Sequence, residues 1–187
     1  MIDSMKRLPQ SWFIQDAVTL APLLLGKIIR LGDLAGRIVE VEAYTTDPAS
    51  HAHKITPRSQ GMWDTYGHWY VYFTYGMHYC MNVTTNKGGA GAILIRAAEP
   101  LSGTEIMKER RGTTDIRALC SGPAKLCQAF GVTKEHNGLP LSENFGIYDA
   151  PPIPPAEIVT ATRIGIKKSV ELPWRFYIKD SPFISRK

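Results

Sequence analysis

The sequence predicts an α+β fold in a single domain, and three observations carry that expectation. Segments with strand-like alternation outnumber helical ones. Two of them meet across short glycine-containing turns, which join antiparallel neighbours. The helical segments fall between groups of strands, instead of alternating with them as a parallel sheet requires. The 187 residues, 44% hydrophobic and 21% charged, suffice for one core. No internal repeat or domain boundary interrupts the pattern, so 1–187 reads as one unit.

Residues 1–15 read as an exposed lead-in, flexible over 1–11, that enters the fold near Trp12 and Phe13. "DAVTLAPLLLGK" reads as a short helix with Thr19 as N-cap, Pro22 in the first turn and Gly26 as the stop. "KIIRLGDLAGRIVEVEAY" reads as a hairpin about Gly32-Asp33. Its second arm sets Glu40, Glu42 and Tyr44 on one face and Val39, Val41 and Ala43 on the other. "TTDPASHAHKITPRSQGMW" reads as loop. An aromatic ribbon follows, then a Gly-rich turn at 86–91 and a buried strand from Ala92 to Ala97. "SGTEIMKERRG" and "SGPAKLCQAFGV" read as helices capped by Ser102 and Ser121 and closed by glycines. "DAPPIPPAE" is a stiff connector, and "VTATRIGI" and "WRFYIK" read as strands.

Composition bounds the function loosely. The formal net charge of +5 and pI near 9.1 attract polyanions without specifying one. Three cysteines, with no CxxC pair and no zinc spacing, read as reduced and packed; no metal and no cofactor is expected. The apolar stretch from Ala17 to Leu25 is far short of the ~20 residues that span a bilayer. Met1 to Pro9 does not read as a secretory signal, so an intracellular protein is expected. No Walker loop, strand-borne GxGxxG or HExxH occurs.

The ribbon "GHWYVYFTYGMHYCMN" holds six of the chain's eighteen aromatic residues. Strand geometry puts Tyr70 and Tyr72 on one face, and Trp69, Val71 and Phe73 on the other, expected core face. Two adjacent phenols suit a platform for a planar base, worth about 1–3 kcal/mol per stacked base; each taken alone reads first as half-buried packing. Tyr75 and Met77 fall at a hairpin tip, where a large side chain can wedge between base pairs. Asn82 on the return strand can read a ring edge. Glu42 lies among hydrophobes in "VEVEAY" and could serve as acid or base. Glu40 shares its face and is an alternative, and a solvated face would suit both. Arg96 in "AILIRAA" needs an anionic partner, so Glu42 and Arg96 are expected to meet and hold a water. His51 and His53 in "SHAHK" are weak as a metal pair and read as hydrogen-bonding groups.

These segments together resemble the alkyladenine DNA glycosylase family, the 3-methyladenine DNA glycosylases of the mammalian type. "GRIVEVEAY", "DPASHA", "TPR", "YVYFTYGMHYCMN", "ILIRAAEPLSG", "CSGPAKLCQAFGV" and "WRFYIKDSPFIS" occur in the family's order, from about Phe13 to Ser185. The resemblance implies a curved, open barrel-like antiparallel sheet surrounded by helices, with a protruding β-hairpin. It implies a monofunctional enzyme, expected as a monomer, that excises damaged purines from duplex DNA and leaves an abasic site. Residue by residue, Glu42 matches the general base and Arg96 the arginine that helps hold the nucleophilic water. Tyr44 and Tyr72 match rings that stack on the two faces of the flipped base, Tyr70 a further pocket aromatic, and His51 a histidine contacting the base. Asn82 matches the asparagine that excludes guanine through its 2-amino group, and Tyr75 the residue inserted into the duplex. Two features depart from the pattern. "TTDPAS" stands where a longer acidic loop is usual, which lets His53 compete with His51, and the long N-terminal extension of vertebrate members is lacking. Lys54, Arg58 and Lys125 are expected on phosphates. A non-catalytic single-stranded nucleic-acid platform is the alternative from another class, and a hydrolase of free nucleosides is a third reading.

Overall fold

A computed structural model describes residues 5–86 and 88–186. Eight strands form one antiparallel sheet that does not close into a barrel: β1 (Ile28–Leu31), β2 (Leu34–Tyr44), β3 (Trp69–Thr74), β4 (His78–Asn86), β5 (Ala90–Ser102), β6 (Phe145–Tyr148), β7 (Ile158–Ala161) and β8 (Arg175–Ile178). The main order is β3-β4-β5-β2-β1-β6, with β8 joining β2 to β7. Strand β2 organises the rest. It pairs with β5 along one edge; along the other it pairs first with β1 and then, from Glu40 to Glu42, with β8. The change of neighbour coincides with register irregularity in the β2–β5 ladder between Ile38 and Val41, the local bend a bulge produces.

Among the described residues, five α-helices accompany the sheet: α1 (Ala17–Leu24), α2 (Gln60–Asp64), α3 (Thr104–Arg111), α4 (Ile116–Leu119) and α5 (Pro123–Phe130). The core joins Phe13, Leu20 and Leu24 to Val41, Trp69, Met81, Ile93, Ile95 and Phe130. Trp69 stacks on Phe145 at 4.1 Å, and its indole N–H donates to the Phe145 carbonyl, so a large ring is buried with its polar atom satisfied.

The hairpin about Gly32-Asp33, the hairpin within the ribbon and the helix-closing glycines stand as expected. Other expectations need correction. Asp16, not Thr19, caps α1, accepting from Val18 N and Thr19 N, which moves Pro22 out of the first turn. Neither Ser102 nor Ser121 caps a helix. Gly103 and Gly122 occupy those positions, Gly103 at φ +71°, a conformation that a side-chain cap does not use; Ser102 ends β5 and its hydroxyl donates to Asp33 O. The expected loop at 45–63 contains a 3-10 turn at His51–His53 and α2, and α4 went unread. Met1 to Ser4 and Lys87 lie outside the described residues, and so do those parts of the expected lead-in and Gly-rich turn. The chain joins the fold before Trp12: Leu8 is buried and its N–H donates to Ile147 O. Phe73 does not face the core. The hairpin outruns the body there, and Phe73 is 49% exposed against Tyr79.

Candidate active site

Directly opposed residues of antiparallel strands project to the same face. The register aligns Tyr70 with Asn82, Asn82 with Leu94, and Leu94 with Glu42, a row across β3, β4, β5 and β2. Alternation places Tyr72 with Cys80 beside that row, and Tyr44 and Arg96 two residues from Glu42 and Leu94. One face of four strands thus gathers residues scattered over more than fifty positions. They border a cavity of about 380 Å³, lined by Tyr44, His51, Tyr70, Tyr72, Asn82 and Arg96, with Tyr75 also reaching it and Ile164–Ile166 along one side.

Glu42 is fully buried, not on a solvated face, and lies behind the lining. Its Oε2 accepts from the Tyr44 hydroxyl at 2.8 Å; its Oε1 accepts from Ile164 N at 2.7 Å and faces Arg96 Nη1 at 3.2 Å. A carboxylate offers about four acceptor positions, so these three donors leave room for one more. Burial, then the charge of Glu42, pushes the Tyr44 hydroxyl far above its usual range, which keeps it a donor. Glu40 is buried too. It takes Arg96 Nε at 3.2 Å, Arg175 Nη1 at 3.0 Å, and both Ser185 N and Ser185 Oγ. Two carboxylates therefore face two guanidiniums, the pairing that buried charge requires. Burial works against the Arg96 charge, but the two carboxylates outweigh it and raise its pKa.

His51 lies edge-on to Tyr72 at 4.6 Å, and its Nδ1 meets the Tyr70 hydroxyl at 2.8 Å. Burial, with the Arg58 charge second, lowers its pKa to about 4, so the ring is neutral at neutral pH. His53 is exposed on the Thr46 carbonyl and does not line the cavity. Asn82 Nδ2 donates to Tyr70 O at 3.0 Å, which fixes the amide against the cavity wall. Burial and Cys80 raise the Tyr72 phenol far above its usual range. Tyr75 occupies the tip at φ +52° and is 81% exposed. For a bulky residue that conformation costs about 1–3 kcal/mol, the kind of strain that collects at functional sites. The structure thus brings the site residues read from the sequence together at this cavity, with Tyr75 reaching it from the exposed hairpin tip.

Sequence reasoning missed Arg163, Arg175 and Asp47. Arg163 is buried over the Tyr44 ring at 4.7 Å and the Trp174 ring at 5.0 Å, and Asp47 holds it through contacts of 2.6 and 3.2 Å. The signal was the one that singled out Arg96, an arginine among apolar strand residues, present again in "TATRIGI" and "WRFYIK".

A family model described as Methylpurine-DNA glycosylase (MPG) matches residues 11–182. Similar proteins include one of Agrobacterium fabrum, 46% identical over 187 residues, covering 96% of this chain and 92% of that protein. One of Rhodopseudomonas palustris is 48% identical over 180 residues, covering 94% and 86%. One of Methanoculleus marisnigri is 45% identical over 190 residues, covering 96% and 99%. All three carry the name "Putative 3-methyladenine DNA glycosylase".

Proposed function

The chain belongs to the methylpurine-DNA glycosylase family, DNA-repair enzymes, and from that premise we propose that it flips damaged purines out of duplex DNA and hydrolyses their N-glycosidic bonds. The substrates are alkylated or deaminated bases: 3-methyladenine, the base in its relatives' name, with 7-methylguanine, ethenoadenine and hypoxanthine. One observation carries the reading: a buried carboxylate with an acceptor position to spare, joined through Arg96 and Tyr44 to a tyrosine-walled cavity large enough to admit a purine.

The reaction needs an extruded nucleotide, which costs a few kcal/mol, less where damage has weakened pairing. Tyr75 fills the vacated position in the stack. Tyr44 and Tyr72 hold the two faces of the base, Tyr70 and His51 border it, and Asn82 disfavours guanine by opposing its 2-amino group, a penalty that 7-methylguanine shares and its weakened bond to the sugar offsets. Glu42 and Arg96 hold a water against C1′. As the C1′–N bond breaks, the bonding pair leaves with the base, the water oxygen bonds C1′ and Glu42 takes the proton. Positive charge developing on the sugar faces the same carboxylate. A cationic alkylpurine leaves as a neutral base. A neutral lesion needs a proton, which His51 does not carry at neutral pH. No lysine nucleophile is required, so an abasic site remains with the strand intact.

The test is single-turnover incubation with duplexes containing hypoxanthine, ethenoadenine or 7-methylguanine. Free base and abasic sites are expected. Tight binding without release from any of them would favour a non-catalytic platform, a reading that accounts for the tyrosines but gives the Glu42–Arg96 pair no task.

A further inference from the structure

We propose that Arg58 determines how the slot chooses between cationic and neutral purines, acting on the stacked base through the Tyr72 ring; this rests on the reading of the cavity as a purine slot. The Arg58 guanidinium stands over the Tyr72 ring, 5.0 Å from its centroid. Tyr72 lines the cavity and Arg58 does not, so the ring separates the charge from the space a base would fill. A second lining tyrosine is backed alike, with Arg163 over Tyr44 and likewise outside the lining. The two arginines differ in counter-charge. Asp47 neutralises Arg163, whereas Arg58 has no ion pair among the described residues; its guanidinium interacts with the Tyr70 hydroxyl, and its Nη2 donates to the Phe73 carbonyl at 3.4 Å. Tyr72 thus carries an uncompensated positive charge against its outer face.

An aromatic face attracts a cation through its negative quadrupole. A guanidinium already on one face engages that density and repels a second cation on the other. At ordinary contact distances the two stand about 9 Å apart, close enough for one unit charge to act on another across a protein wall. A neutral purine stacks by dispersion and is not repelled. His51 feels the same charge, which helps burial keep it neutral. The outcome is chemically apt: a cationic purine already has a weakened bond to its sugar, and a neutral one depends more on being held.

The experiment measures single-turnover release of cationic 7-methylguanine and neutral hypoxanthine from duplexes of the same flanking sequence, at subsaturating enzyme. Wild type is compared with Arg58→Lys, Arg58→Gln and Arg58→Glu. The readout is the ratio of the two second-order rate constants. The ratio should rise about threefold to tenfold in Arg58→Gln, given an exposed, partly screened charge. It should rise further in Arg58→Glu, stay near wild type in Arg58→Lys, and converge among variants at high salt. A lost phosphate contact or a loosened fold slows both lesions and leaves the ratio alone. Release by wild type with an unchanged ratio in Arg58→Gln and Arg58→Glu overturns this proposal alone. Release of neither base by wild type overturns it together with the glycosylase reading.

Discussion

His51 and Arg163 show how single side chains in this site couple binding geometry to stability. The folded pKa of His51, about 4, lies below the ordinary histidine value of about 6.5. As pH falls below 6.5 the unfolded chain takes up a proton that the folded chain refuses. The stability due to a neutral His51 is therefore fully present above about 6.5, lost progressively toward about 4, and flat below. Thermal melts of wild type and His51→Gln across that window should show a shallower decline in the variant; parallel curves would count against a buried neutral histidine. Arg163→Met should destabilise by about 3 kcal/mol, because it leaves the Asp47 carboxylate in a nearly closed site without its partner. Urea melts measure this, and Asp47→Asn combined with Arg163→Met should recover part of the loss. The Asp47–Arg163 contact could not be read from the chain, since the two are 116 positions apart and nothing local in "TTDPAS" announces a partner.

At the scale of elements, the β3–β4 hairpin is built for exposure. Its base is anchored in the core by Trp69, Val71 and Met81, while Phe73, Tyr75 and Met77 stand out beyond it. Tyr75→Gly removes the penalty of a bulky residue at φ +52°, so it should raise stability by up to about 1 kcal/mol. The same change should slow release from duplex DNA at least ~10-fold and affect single-stranded substrate less, because only a duplex presents a gap to fill. Melting curves and paired single-turnover assays test both halves; an unchanged duplex rate would take Tyr75 out of the proposed wedge. The hairpins were legible because alternation and turn glycines are local signals. Helix starts were not: a serine before a glycine looks like a cap until the glycine's backbone takes the position, as at Ser102-Gly103. Phe73 was misplaced because alternation gives a face and not the distance along it at which the core ends.

For the molecule as a whole, the candidate site is one face of four adjacent strands with its charge stored beneath. Glu40, Glu42, Arg96 and Arg175 form a balanced buried set, and Ser185, far along the chain, closes it over Glu40. The acids in "VEVEAY" and the arginine in "AILIRAA" were legible as a pair because buried-strand charges demand partners. Their depth was not, since the sequence does not say that β8 pairs with β2 from Glu40 to Glu42. Among the described residues no helix is long and apolar enough to cross a membrane. The most direct measurement is single-turnover release of hypoxanthine from duplex DNA by Glu42→Gln beside wild type, with DNA binding measured on the same samples. The amide keeps the shape of the side chain and cannot take a proton from water, so release should slow by at least ~100-fold while binding is largely kept. Release at the wild-type rate would remove the carboxylate from the chemistry and contradict the account.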